Sequence, residues 1–163
     1  MNWLMKSSVL WSLILGTGVL VIDRAHKYLQ VDFAGWRGGE VVTLTPFFDY
    51  VLVWNTGISY GLLAGLTPEM LLLVMALAVA ALGWWWVKED AILTRIGIAL
   101  AIGGAFSNAI DRMVYGAVAD FFHFHLDTWS FYVFNIADVA ISAGVVLLIV
   151  DVLRPHRKVG AET

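Results

Sequence analysis

"FNIADVAISAGVVLLIVDVL" occupies Phe134 to Leu153. The stretch is long and apolar enough to cross a bilayer as a helix, which takes about 20 residues. Yet it carries Asn135 and Asp138 near one end and Asp151 near the other. An ionised carboxylate at the bilayer centre costs roughly 2.5–3.5 kcal/mol on insertion scales. Where these polar groups fall separates a plain anchor from a functional span. The rest of the chain points to a membrane as well. Of its 163 residues 60% are hydrophobic, and mean hydropathy is +0.80, too apolar for a soluble domain of this size. We read residues 1–163 as a single membrane-embedded domain.

Four segments qualify as spans, at roughly 9–29, 68–87, 92–115 and 131–153. The first could be read as a cleaved leader, because Lys6 precedes an apolar run. That run continues into Asp23, Arg24 and Lys27 without a small-x-small cleavage site, so a retained span is expected. With four spans, Lys6, Lys88, Arg95, Arg154, Arg157 and Lys158 fall on one side. Only Arg37 stands clear of the span ends on the other. The Lys/Arg bias puts both termini in the cytoplasm, with Trp84–Trp86 as an aromatic anchor at that interface. The outer segment, roughly 31–67, is rich in β-branched and aromatic residues punctuated by Gly-Gly and Pro. It suggests short strands and turns lying against the membrane. The tail after Arg154 reads as disordered.

The polar residues of the spans cluster at one level. Asp23 and Lys27 lie near the outer end of the first span, and Asn108, Asp111 and Arg112 near that of the third. Asn135 and Asp138 lie in the outer part of the fourth, with Asp138 about 10 Å along it at 1.5 Å per residue from Phe131. Asn55 joins them from the outer segment. Asp23 and Lys27 are i,i+4 neighbours and can pair. Asn108, Asp111 and Arg112 share one helix face, Asn135 and Asp138 another. Gly103 and Gly104, with Ala99 one turn away, offer a surface that another helix can approach closely. Asp111 has Arg112 beside it. Asp120 and Asp138 have no cation nearby in sequence. If they face each other they cannot both ionise easily, and the pair holds one proton. That arrangement lets one carboxylate activate water while the other donates a proton.

Other chemistries find less support. There is no cysteine, which excludes disulfides, thiolate catalysis, cysteine-bound metal and lipid attachment to cysteine. A net charge of −3 without a basic run argues against a nucleic-acid partner. Walker and Rossmann fingerprints are missing, and no cofactor is expected. His123 and His125 alternate on an extended segment and could bind metal, but hydrogen-bonded histidines are the simpler reading, and no metal is expected. Ser107 and Ser142 have no histidine close in sequence. Two rivals remain open. Intramembrane carboxylates also mark the path of a proton- or ion-coupled transporter, and polar residues can serve purely as glue between helices.

Four blocks, in order, carry a resemblance. "DRAHK" from Asp23 to Lys27 is similar to a D-x-x-x-K block, and "NTGISYGLL" from Asn55 to an N-x-G block. "GGAFSNAIDRMVYGAVADF" from Gly103 to Phe121 is similar to G-N-x-x-D-R-x-x-x-G-x-V-x-D-F, and "FNIAD" from Phe134 to F-N-x-A-D. The chain resembles the lipoprotein signal peptidases, the bacterial type II signal peptidases, along almost its full length. The resemblance implies an all-α integral membrane protein with four transmembrane helices, a small β-rich extracytoplasmic cradle and an adjacent amphipathic helix. It implies an aspartic endopeptidase of the bacterial inner membrane, with its site toward the outer face and Asp120 and Asp138 as the catalytic pair. Asp23, Lys27, Asn55, Gly57, Asn108, Asp111, Arg112 and Asn135 match positions that bind substrate or support the site. The implied substrate is a prolipoprotein carrying diacylglyceryl on its lipobox cysteine, reached from membrane lipid and cut before that cysteine. Arg24 and His26 stand where the family usually has Gln and then Ser or Thr.

Overall fold

The computed structural model describes residues 3–57 and 67–154. Helix α1 (Trp3–Lys27) runs on into a π-helical turn, Tyr28–Phe33. Helices α2 (Pro68–Lys88), α3 (Ile92–Tyr115) and α4 (Ile136–Leu153) complete a set of four, each long and apolar enough to cross a membrane. Strands β1 (Val41–Thr45), β2 (Phe48–Asn55), β3 (Val118–Leu126) and β4 (Trp129–Ser130) form one antiparallel sheet in that order. Among the described residues no separate amphipathic helix accompanies the sheet.

Helix α3 is the hub, packed against α4, α1 and α2. Its buried face is made of small and polar residues, Gly97, Ala101, Gly103, Gly104, Ser107 and Asn108 among them. That composition follows from its position. A helix shielded by three neighbours need not be apolar all round, whereas α2 and α4 carry their large hydrophobic side chains outward, as lipid-facing helices do. The crossings are backbone to backbone. A Cβ on Gly103 would lie 2.3 Å from the Gly16 carbonyl oxygen, and one on Gly144 would lie 2.4 Å from that of Gly97.

The sheet draws on two distant parts of the chain. Strands β1 and β2 come from the outer segment, as expected from its composition. Strand β3 follows α3 directly, after Gly116 closes that helix in the left-handed conformation with φ +75°. Val51, Leu52, Val118, Ala119 and Phe121 are buried, and Val31, Leu52, Ala119 and Phe121 form a small core beneath Trp36, Tyr50 and Trp54.

The fourth span begins later than its hydropathy suggests. Residues 131–134 are not helical, because their backbone is bound to the sheet. Phe134 N–H donates to the Phe122 carbonyl at 3.1 Å, and the Phe134 carbonyl accepts from Phe121 and Phe122 at 2.9 and 2.8 Å. Helix α4 starts only after Asn135, which is its N-cap rather than an interior residue. Asp138 is therefore in its first turn, and not about 10 Å along it. The tail beyond Arg154 lies outside the described residues.

A second polar layer lies at the opposite end of the bundle. Buried Arg95 donates to Ser8 Oγ at 2.6 Å, Trp86 Nε1 donates to Ser12 Oγ at 3.1 Å, and Thr94 donates to Asp151. Asp151 therefore joins α3 to α4. Trp86 likewise packs inward, while Trp84 is exposed.

The close crossings give a paired expectation. Gly103→Ala should lower the detergent-solubilised protein's thermal unfolding temperature, at a cost of about 1–3 kcal/mol for overpacking. Gly83→Ala, where an added Cβ meets nothing within 4 Å, should leave that temperature unchanged or raise it, with a gain in stability of up to about 1 kcal/mol. Thermal melts of both variants decide.

Candidate active site

Two carboxylates, one ammonium and one guanidinium organise the outer level. Lys27 is fully buried. Its Nζ lies 2.8 Å from Asp23 Oδ2 and 2.7 Å from Asp111 Oδ2, and donates to Asn108 Oδ1 at 3.0 Å. All three ammonium hydrogens thus have acceptors, which a buried charge requires. Arg24 pairs with Asp111 Oδ1. The four formal charges of Asp23, Arg24, Lys27 and Asp111 sum to zero.

Each of the two paired aspartates also anchors another element. Asp23 Oδ1 accepts from Ala137 N–H at 2.9 Å, in the first turn of α4, while its Oδ2 accepts from Ser107 at 2.6 Å. Asp111 Oδ2 accepts from Ala119 N–H at 3.1 Å, at the start of β3. The start of α4 carries Asp138 and the start of β3 carries Asp120, so this cluster positions both remaining carboxylates.

Asn135 lies between them. Its Nδ2 donates to Asp120 Oδ1 at 2.6 Å, and its backbone N–H donates to Asp138 Oδ2 at 3.1 Å. Its Oδ1 accepts from Asp138 N–H at 2.9 Å, completing a capping box with Asp in place of the usual Glu. Asn55, the last residue of β2, donates to Asp120 Oδ2 at 3.0 Å and accepts from Gly57 N–H at 3.0 Å. Asn108 donates to Asp138 Oδ1 at 2.9 Å. Asp120 is only 1% exposed. Burial pushes its carboxyl up to about 7, the nearby Asp138 pushes the same way, and the Asn55 and Asn135 donors oppose both. Two carboxylates held this way can share a proton near neutral pH and exchange it with a water between them.

Asp138 opens on a cavity of about 240 Å³ lined by Met75 of α2, Asn108 and Arg112 of α3, Val118 of β3, and Tyr132 and Ile141 on the α4 side. It mixes apolar walls with a polar end at the carboxylates.

Asp23, Lys27, Asn55, Gly57, Asn108, Asp111, Arg112, Asp120, Asn135 and Asp138 all lie in or beside this network, but one pairing differs. Asp111 takes its charge partners from Arg24 and Lys27, not from adjacent Arg112. Arg112 reaches the other way and donates to the Gly57 carbonyl at 2.5 Å and to Asn108 O at 3.5 Å. The reason is helical direction: i and i+1 side chains point about 100° apart. Three residues had no sequence signal for their roles. Arg24 reaches Asp111 across the bundle. Ser107, considered only as a nucleophile, is a hydrogen-bond donor to Asp23. His26 meets the Tyr50 hydroxyl at 2.7 Å and packs edge-on against Phe121, tying α1 to the sheet.

Between the outer and inner polar layers, α1 from Val9 to Ile22, α3 from Ile96 to Phe106 and α4 from Val139 to Val150 contain no ionisable residue. This gap does not fit a proton path crossing the membrane.

Comparison with known proteins agrees with this geometry. Residues 15–154 match the family described as Signal peptidase (SPase) II. A lipoprotein signal peptidase of Rhodopseudomonas palustris (strain TIE-1) is 50% identical, over 82% of this chain and 86% of its own. One of Methylocella silvestris is 40% identical over 96% and 92%. A solved structure described as a bacterial membrane enzyme superposes with a TM-score of 0.80 at 25% identity, covering 93% of each chain. With its four spans, its outer sheet and its paired carboxylates, the chain belongs to the signal peptidase II family.

Proposed function

We propose that this chain is a membrane aspartyl endopeptidase that removes signal peptides from prolipoproteins, with Asp120 and Asp138 as its catalytic pair. The observation that carries the assignment is Asn135, which donates to one carboxylate through its side chain and to the other through its backbone. The substrate is a prolipoprotein with diacylglyceryl on its lipobox cysteine, cut on the N-terminal side of that cysteine. Acyl chains keep such a substrate in the bilayer, so the site must be reached from the side. The cavity walls of Met75 and Ile141 suit apolar chains, and its polar end suits the peptide.

The pair starts with one proton. The ionised carboxylate takes a proton from water as the hydroxyl adds to the scissile carbonyl carbon. The protonated carboxylate donates to the leaving nitrogen as the carbon–nitrogen bond breaks. A carboxylic acid and an amine leave, and the pair again holds one proton. Which aspartate serves as base belongs to the pair and not to either residue. Asp23, Lys27 and Asp111 hold the two elements in place, while Asn55, Asn108 and Asn135 orient the carboxylates. Arg112, bound to the Gly57 carbonyl, holds the Asn55–Gly57 segment against the cavity.

The site faces outward in the inner membrane, with both termini cytoplasmic. Supporting this, Lys88, Arg95 and Arg154 lie at the end of the bundle away from the sheet, where the Lys/Arg bias places the cytoplasm. The whole chain acts as one membrane-embedded peptidase unit.

Asp120→Asn and Asp138→Asn should each lower cleavage of a diacylglyceryl-modified lipobox peptide by about 10²–10⁴-fold, as expected for loss of an acid–base group. Near-normal turnover by either variant would remove the pair from the mechanism. The pH profile is a second test. Activity should fall as pH rises through about 7, where the pair loses its proton. The Asn55 donor favours ionised Asp120, so removing it raises the pKa. Asn55→Ala should therefore move the alkaline limb to higher pH, and a shift to lower pH would contradict the assignment.

A further inference from the structure

The outer sheet holds a second group of ionisable side chains, apart from the catalytic carboxylates. Asp49 on β2 is the register partner of His123 on β3. His125 lies two residues further along β3 and so on the same face of the strand. One donor atom from each of the three lies within 4.8 Å of the other two. His123 Nδ1 is 3.8 Å from Asp49 Oδ2, and His125 Nε2 is 3.0 Å from the same oxygen.

Their hydrogen bonding is incomplete in a specific way. Ser130 Oγ donates to the Phe131 carbonyl at 3.3 Å and meets His123 Nε2 at 2.8 Å. In the tautomer in which the Ser130 oxygen accepts, His123 Nε2 carries the proton. That leaves the Nδ1 lone pair facing the carboxylate. A lone pair and a carboxylate oxygen facing each other repel unless a cation lies between them. His125 Nε2, though close to Oδ2, is not aligned to hydrogen-bond with it, and Asp49 Oδ1 is buried without a partner. In that tautomer three electron-pair donors, one from each residue, lie within 4.8 Å of one another.

We propose that Asp49, His123 and His125 form a binding site for a divalent transition-metal ion of the zinc class. Two imidazoles and a carboxylate are a donor set that suits Zn²⁺, with a fourth position open to water. Metal–ligand bonds of about 2.0–2.1 Å put tetrahedral ligand atoms about 3.3–3.5 Å apart, so the 3.8 Å separation must close slightly and the 3.0 Å separation open slightly. Ser130 fixes the His123 tautomer from behind, as a second-sphere partner does. The ion would join β2 to β3, with β4 held through Ser130, and so stiffen the sheet. His123 is three residues from Asp120 along β3, about 10 Å at strand rise, so the ion would not contact the reacting atoms. In sequence the two histidines offer only two nitrogens. The third ligand arrives only when β2 pairs with β3.

The test uses full-length, tag-free protein in detergent. Co²⁺ is titrated and followed by its visible tetrahedral absorption, then displaced with Zn²⁺, and Zn²⁺ binding is measured by calorimetry. The expected result is saturable binding of one ion per chain, lost in the His123→Ala/His125→Ala double variant. Ser130→Ala should weaken it by about 10-fold or more, as for other second-sphere changes. Asp120→Asn should bind as the wild type does, separating this site from the catalytic carboxylates. Absence of saturable binding by the wild type, or undiminished binding by the double variant, overturns the proposal. Should the double variant fail to fold, Asp49→Asn serves in its place: binding unchanged from the wild type overturns the proposal and binding lost supports it.

Discussion

The structure depends on one buried ammonium. Lys27 is shared by Asp23, Asp111 and Asn108, and each of these acceptors holds something else in turn. Asp23 holds the first turn of α4, Asp111 holds the start of β3, and Asn108 holds Asp138. Removing one partner of such a buried group typically costs about 3–5 kcal/mol, because the remaining charge has no water to turn to. The same interaction therefore fixes the meeting of three helices and the sheet, and with them the relative placement of Asp120 and Asp138.

This explains why polar groups in a membrane protein are confined to a layer. Burying a charge is tolerable where all its hydrogen bonds are made. The outer cluster meets that condition with α1, α3, α4 and β3 all contributing. Below it the helices approach backbone to backbone at Gly16 and Gly103, and at Gly97 and Gly144, where no polar group needs satisfying. Helix α3 can carry both surfaces because the other helices shield it. Arg24 makes the outer cluster electrically neutral and His26 joins it to the sheet. The two positions that depart from the usual family pattern are thus part of the supporting structure.

Much of this was legible in the string of residues. The four spans follow from length and hydropathy, and the shared level of Asp23, Lys27, Asn108, Asp111 and Asp138 follows from counting along helices. The start of α4 did not, because Phe131–Phe134 is as apolar as a span. What ends the helix there is backbone pairing with Phe121 and Phe122, which hydropathy does not register. Strand β3 was only partly visible for a similar reason: "VADFFHFHL" has strand-like residues, but its partner β2 lies more than sixty positions earlier. Asp111 and Arg112 look paired in sequence because they are adjacent, although adjacent helical side chains diverge.

By itself the sequence determined the membrane class, the four spans, the outer polar level and the resemblance that singles out Asp120 and Asp138. These rest on local properties, namely apolar length, helical period and motif order. Only the tertiary structure decided which charges pair, that Asn135 caps α4 and bridges the two aspartates, and that Asp49 joins His123 and His125. Those outcomes depend on residues far apart in the chain meeting at ångström range. Hydrogen bonds and ion pairs are set by that geometry, and spacing along the chain does not encode it.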